Sequence, residues 1–147
     1  MIVLDANILL YAYDSASPHH AKAREWVERV FSSGELIGLP WTTIAAFLRI
    51  VTNTRLPGER MTLTEAVAVV DHWFEQPNVV ALGPSEHHWQ VFRNVILEGQ
   101  APGGLISDAQ LAAITMEVGG ELYTTDRDFA RFPGLRWQNP LTSSLDL

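Results

Sequence analysis

The chain has 147 residues, 47% of them apolar, and a formal net charge of −7. That size and composition suit one hydrophobic core and exclude a disordered chain. The acidic balance argues against a nucleic-acid binder that works through a broad basic surface, and the lack of cysteine excludes disulfides, thiolate zinc sites and cysteine nucleophiles. A single unit over residues 1–147 is expected. Met1-Ile2-Val3-Leu4-Asp5 lacks the pattern of a secretory leader, and no apolar run approaches the ~18 residues of a membrane span. A cytoplasmic protein with no membrane partner is expected.

Ile2-Val3-Leu4 reads as a short buried strand. Ser17-Pro18 opens a helix, with Ser17 as its cap and Ala23, Trp26, Val27 and Val30 on its apolar face. Leu36 to Leu39 is a second strand, and Trp41 to Thr52 a mostly apolar, buried helix. Arg55 to Arg60 contains Pro57-Gly58 and reads as a loop. Thr62 and Glu65 form a capping box for a helix reaching about Glu75. Val79 to Leu82 is a third strand, and Ser85 caps a helix through about Leu97. Ser107 reads as the cap of the next helix, which Gly119-Gly120 ends. Leu122 to Thr124 is a fourth strand, Asp126 to Phe132 a short helix or turn, and Leu135 to Trp137 a candidate fifth strand. Strands alternating with helices predict a three-layer α/β/α sandwich on a central parallel sheet of four to five strands.

In open parallel sheets, ligands gather beyond the carboxyl ends of the strands. Asp5 follows the first strand and Asp126 the fourth. Asp108 opens the helix that leads into the fourth strand, so its end of that helix lies at the same edge. Three carboxylates meeting there repel one another unless a cation offsets them. A hard divalent ion does so, and it activates water against a phosphodiester. Each acid alone also suits a helix cap or turn; their convergence carries the reading. Asn7 serves as a cap or as a positioner of a ligand. The five histidines lack the spacing of a helical zinc site and are expected to be surface or half-buried, and the five tryptophans to lie mostly in core or interface positions.

Ile2-Val-Leu-Asp5-Ala-Asn7-Ile-Leu-Leu10, Ser107-Asp108-Ala-Gln-Leu-Ala-Ala113 and Leu122-Tyr-Thr124-Thr-Asp126-Arg-Asp128-Phe129 resemble the motifs of PIN domains, in order and over nearly the whole chain. Pro40-Trp41-Thr-Thr-Ile-Ala-Ala-Phe47-Leu-Arg49 is similar to the second helix region of VapC toxins. The resemblance implies a Mg²⁺-dependent ribonuclease, with Mn²⁺ as a substitute, that cuts structured RNA such as tRNA or rRNA. It also implies neutralisation by a VapB-type antitoxin, and a homodimer. Asp5, Asp108 and Asp126 match the metal-binding and catalytic acids, and Asn7, Thr124 and Asp128 match supporting positions. Arg49, Arg55, Arg60 and Arg127 are candidates for gripping phosphate; Arg127, beside Asp126, is best placed.

One departure stands out. Many members carry a Glu near the position of Ala46, whereas Trp41 to Thr52 holds no acid. That motivates a second reading, a catalytically weak or silent module that binds RNA or a protein. A haloacid-dehalogenase-like phosphatase and a response-regulator receiver both need a downstream lysine; Lys22 is the only lysine and comes too early.

Overall fold

The computed structural model describes residues 1–142; residues 143–147, the end of the expected unit, lie outside the described residues. The strands are β1 (Ile2–Leu4), β2 (Ile37–Pro40), β3 (Val79–Leu82), β4 (Glu121–Tyr123) and β5 (Trp137–Gln138). They form one sheet in the order β3-β2-β1-β4-β5, with every neighbouring pair parallel. The helices are α1 (Ala6–Ala12), α2 (His20–Phe31), α3 (Trp41–Val51), α4 (Leu63–Glu75), α5 (His88–Gly99) and α6 (Leu105–Glu117), followed by a 3-10 helix, Arg127–Arg131. The expected α/β/α sandwich is the observed one. No helix among the described residues is long and apolar enough to cross a membrane.

The local rules hold where the cap residue has no rival. Thr62 and Glu65 exchange hydrogen bonds at 3.1 and 3.0 Å, and α4 starts between them. The expected starts at Ser17, Ser85 and Ser107 are displaced, each for a local reason. The Ser17 and Ser85 hydroxyls accept from His19 N and His87 N, closing tight turns, and α2 and α5 begin three residues after each serine. Before α6, Leu105 N bonds Pro102 O and Ile106 N bonds Gly103 O. The helix is therefore already wound at Ser107, which sits in its first turn. In α3 only one face is buried: Thr43, Ile44, Phe47 and Val51 point inward, while Trp41 is 57% exposed.

β1 is buried on both faces, as the centre of a parallel sheet must be. Ile2 and Leu4 face the core built from α1 to α4; Val3 faces the second core, under α5 and α6. Trp73 and Phe47 are fully buried in the first core, and burial of each such side chain contributes about 1.5–3 kcal/mol. Trp73 keeps its indole N–H satisfied by donating to Tyr13 Oη at 3.1 Å. The chain runs outward from β1 through β2 to β3, then crosses on the opposite face to β4. The order therefore reverses between β1 and β4, which is where such sheets open a crevice.

Candidate metal and nucleic-acid site

Asp5 is the first residue past β1. Its N–H still belongs to the ladder, donating to Tyr123 O at 3.1 Å, and its side chain then caps α1: Oδ1 accepts from Ala6 N at 2.7 Å. Oδ2 accepts from the Thr124 hydroxyl at 2.7 Å. Thr124, wholly buried at the end of β4, also accepts from Asn7 Nδ2 at 3.2 Å and from Asp126 N at 3.1 Å. A hydroxyl has one donor and two acceptor positions, and all three are used. Thr124 thereby ties the ends of β1 and β4 and the Asp126 turn into one rigid unit.

Asp126 caps the 3-10 helix by accepting from Asp128 N at 2.9 Å. Asp108 arrives from the first turn of α6, at the same edge. One carboxylate oxygen from each of Asp108, Asp126 and Asp128 lies within 4.8 Å of the others. Asp5 adjoins this trio through Thr124 and through its charge.

The electrostatics are strained. Asp108 is pushed from 3.8 up to about 6, by burial first and then by the charges of Asp126, Asp5 and Asp128; Arg131 offsets part of this. Burial also raises the Asp5 carboxyl, against the hydrogen bonds from Thr124 and Ala6, and the charge of Asp126 adds to the rise. Asn7 Oδ1 is buried with no partner. The donors at this edge are all oxygens: carboxylates and an orphaned amide carbonyl. Such a set fits a hard divalent cation and no soft metal.

The sequence-predicted residues thus divide. Asp5, Asp108, Asp126, Asn7, Thr124 and Asp128 come together. Asp128, expected among the supporting residues, stands in the tightest acidic group, whereas Asp5 lies outside that group. Arg127 follows Asp126, exposed and without a hydrogen bond among the described residues. Arg49 does not join them: it is exposed on α3, eight residues from the end that leaves β2, or ~12 Å along the axis. Ala46 is half-buried and α3 supplies no acid; the third carboxylate of the tight group, Asp128, stands on the 3-10 helix. No histidine belongs to the acidic group among the described residues. Of the tryptophans, Trp26 and Trp73 are core residues, while Trp41 and Trp89 are exposed.

Two residues escaped the sequence reading. Thr43 is buried and donates to Leu4 O at 2.8 Å, pinning the start of α3 to the residue before Asp5. Its signal was a hydroxyl in the first turn of a helix that follows a strand directly. Arg131 is the cation whose charge reaches Asp108. Its signal was its position three residues after Asp128, since residues i and i+3 eclipse in a 3-10 helix.

The model of the PIN domain family matches residues 2–135. Ribonuclease VapC43 of Mycobacterium tuberculosis is 37% identical over 147 residues, covering 100% of both chains. Ribonuclease VapC33 of the same organism is 35% identical over 141 residues, covering 96% of this chain and 99% of its own. Among solved structures, VapBC2 from Rickettsia felis bound to a promoter DNA fragment aligns with TM-score 0.69 at 17% identity, over 95% of this chain and 98% of that one. Mycobacterium tuberculosis VapC20, described as a sarcin-ricin loop cleaving toxin, aligns with TM-score 0.64 at 14% identity, over 92% and 99%. The structural likenesses show the fold alone. The family match runs from β1 past the 3-10 helix and takes in every acid of the edge cluster, and with full-length relatives above 30% identity beside it, the chain belongs to the PIN domain family.

Proposed function

We propose that the chain, as one unit over residues 1–147, is a metal-dependent endoribonuclease of the VapC toxin type that hydrolyses phosphodiester bonds in structured RNA such as tRNA or rRNA. The observation that carries this reading is the meeting of Asp5, Asp108, Asp126 and Asp128 at the reversal of the sheet order, with no counter-cation bonded to any of them among the described residues. The names of its relatives, ribonucleases at 31–37% identity, support it.

Asp5, Asp108 and Asp126, with Asp128 beside them, would hold Mg²⁺ or its substitute Mn²⁺. When bound, the cation supplies an activated water and offsets the charge that develops on the phosphodiester. The chain's own residues do the positioning. Thr124 orients the Asp5 carboxylate and Asn7 braces Thr124. Asp108 is brought in by the start of α6, whose partial positive charge favours an acid there.

By the same family likeness, the partners we assign are RNA, a short VapB-type antitoxin and a second copy of the chain, in the cytoplasm. The test is purified protein against total RNA, with Mg²⁺ or Mn²⁺ and with EDTA, mapping new 5′ ends. Cleavage at discrete sites that EDTA abolishes is expected. Absence of cleavage under every metal condition, alongside tight binding of RNA or a protein, would replace the enzyme by a silent binding module.

A further inference from the structure

The 3-10 helix carries two faces. Phe129 and Phe132 are buried in the core under α5 and α6, while Asp128 and Arg131, eclipsed at i and i+3, share the outer side. Asp128 belongs to the acidic group, so Arg131 stands beneath it at the rim of the site. Its charge reaches Asp108. Yet Arg131 forms no ion pair within 4.0 Å among the described residues; its Nη1 instead donates to Gln100 O at 3.2 Å.

That carbonyl is held in place by a costly arrangement. Gln100 is the one non-glycine residue with positive φ among the described residues (φ 48°, ψ 59°), a conformation that costs about 1 kcal/mol for an L-residue. Before it, Gly99 has no room for a side chain: a Cβ there would lie 2.5 Å from the Phe132 ring. The end of α5 is thus pressed against the 3-10 helix, and the left-handed turn aims Gln100 O at Arg131. The tether fixes the guanidinium through one nitrogen, while Nε and Nη2 make no hydrogen bond among the described residues. A structural arginine would be expected to close on Asp108 or Asp128. This one is kept off them with its planar donor pair free, the arrangement that takes a phosphate in two parallel hydrogen bonds.

We propose that Arg131, tethered to Gln100 O, is the residue that binds a phosphate of the RNA strand laid across the acidic edge. It supplies the positive contact that an edge of four carboxylates otherwise denies a polyanion. The proposal rests on the ribonuclease reading, and it replaces Arg49 and Arg127 as the principal phosphate contact. Neither has a tether: both side chains are exposed and without hydrogen bonds among the described residues.

The test is binding of a short fluorescein-labelled single-stranded RNA, with Mg²⁺ present, to Asp5→Asn protein as the uncleaving background. Adding Arg131→Gln is expected to weaken binding about 10-fold or more, the worth of a charge-assisted contact. It should also lower the slope of log affinity against log salt by about 0.7, the value of one phosphate on a single strand. Arg131→Lys should restore the slope and only part of the affinity. With the cleaving protein, Arg131→Gln should raise KM about 10-fold and leave kcat within about threefold. A melt is recorded for each variant; if the midpoint falls, the Lys variant, which keeps the charge, decides by its slope. Binding within about twofold of the parent at unchanged slope, or a larger loss from Arg127→Gln, overturns the proposal while cleavage of total RNA still upholds the ribonuclease reading. A protein that neither binds this RNA nor cleaves total RNA overturns both.

Discussion

Glu117 and Asp108 stand nine residues apart on α6, and their carboxyls shift in opposite directions. The Glu117 side chain is only 5% exposed, and burial pushes its carboxyl up. Hydrogen bonds from the Ser85 hydroxyl, His88 and Ser85 N outweigh that and hold it below the usual carboxylate range. Ser85 N lies at 2.9 Å and His88 Nδ1 at 2.6 Å, so an acid from the end of α6 ties down the turn that leads into α5. Asp108 is half-buried and accepts no hydrogen bond among the described residues; three other acids surround it and its carboxyl rises to about 6. The protein supplies the partners of one carboxylate and withholds them from the other. The first is part of the scaffold; the second, on the proposed reading, takes its partner from a cation that comes from outside.

The widest separation between the two acids should appear in cleavage. Asp108→Asn keeps the shape of the side chain but removes the charge on which a hard cation depends, and Asp5→Asn does the same. Each is expected to reduce RNA cleavage about 10³-fold or more, some 4 kcal/mol of barrier. Glu117→Gln should leave the cleavage rate within about threefold at a temperature where the protein is folded. Near-wild-type cleavage by Asp108→Asn, or a loss as large from Glu117→Gln, would break the comparison.

Stability should rank them the other way. Glu117→Gln weakens three hydrogen bonds to a charged group and leaves the half-buried His88 short of its partner. About 2 kcal/mol is expected, a fall of ~4–8 °C in melting midpoint for a chain of this size. Thermal melts at neutral pH with Mg²⁺ absent decide it, and an unchanged midpoint would show that the Ser85–Glu117–His88 cluster carries no stability.

Why Asp108 was visible from the sequence and Glu117 was not follows from the same contrast. Asp5, Asp108 and Asp126 each adjoin a strand or helix end that local pattern locates, and sheet handedness brings those ends to one edge. The strands from Ile2 to Leu4 and from Val79 to Leu82 were legible because each is a short apolar run closed by a turn or a polar residue. The pairing of Ser85 with Glu117 joins residues 32 apart, and the tether of Arg131 to Gln100 joins residues 31 apart. Neither leaves a local signature. The displaced helix starts have the same origin: Ser107 has the identity of a cap, but turns at Pro102 and Gly103 had already begun the helix.

The smallest expected effect is also the one whose sign separates the two acids best. Asp108 has its folded-state pKa raised from 3.8 to about 6, so the folded chain holds that proton more tightly than the unfolded chain does. Its favourable contribution is complete below the unfolded value and is lost as pH rises through the folded one, between about 4 and about 6. Glu117 runs in the opposite direction: its contribution is present above the usual 4.5 and fades as pH falls. At neutral pH, without metal, ionised Asp108 is therefore a cost, and the amide of Asp108→Asn relieves it. The full shift corresponds to about 3 kcal/mol, but Asp108 is only half-buried and solvent screens the repulsion, leaving about 1 kcal/mol. In EDTA at neutral pH, Asp108→Asn should melt ~2–4 °C above the wild type, and the gap should close as pH falls toward 4. Adding Mg²⁺ should reverse the order, since only the wild type gains the stability that ligand binding confers on the folded state. If Asp108→Asn melts below the wild type in EDTA, the repulsion at this edge is already balanced within the chain, and the contrast with Glu117 loses its physical basis.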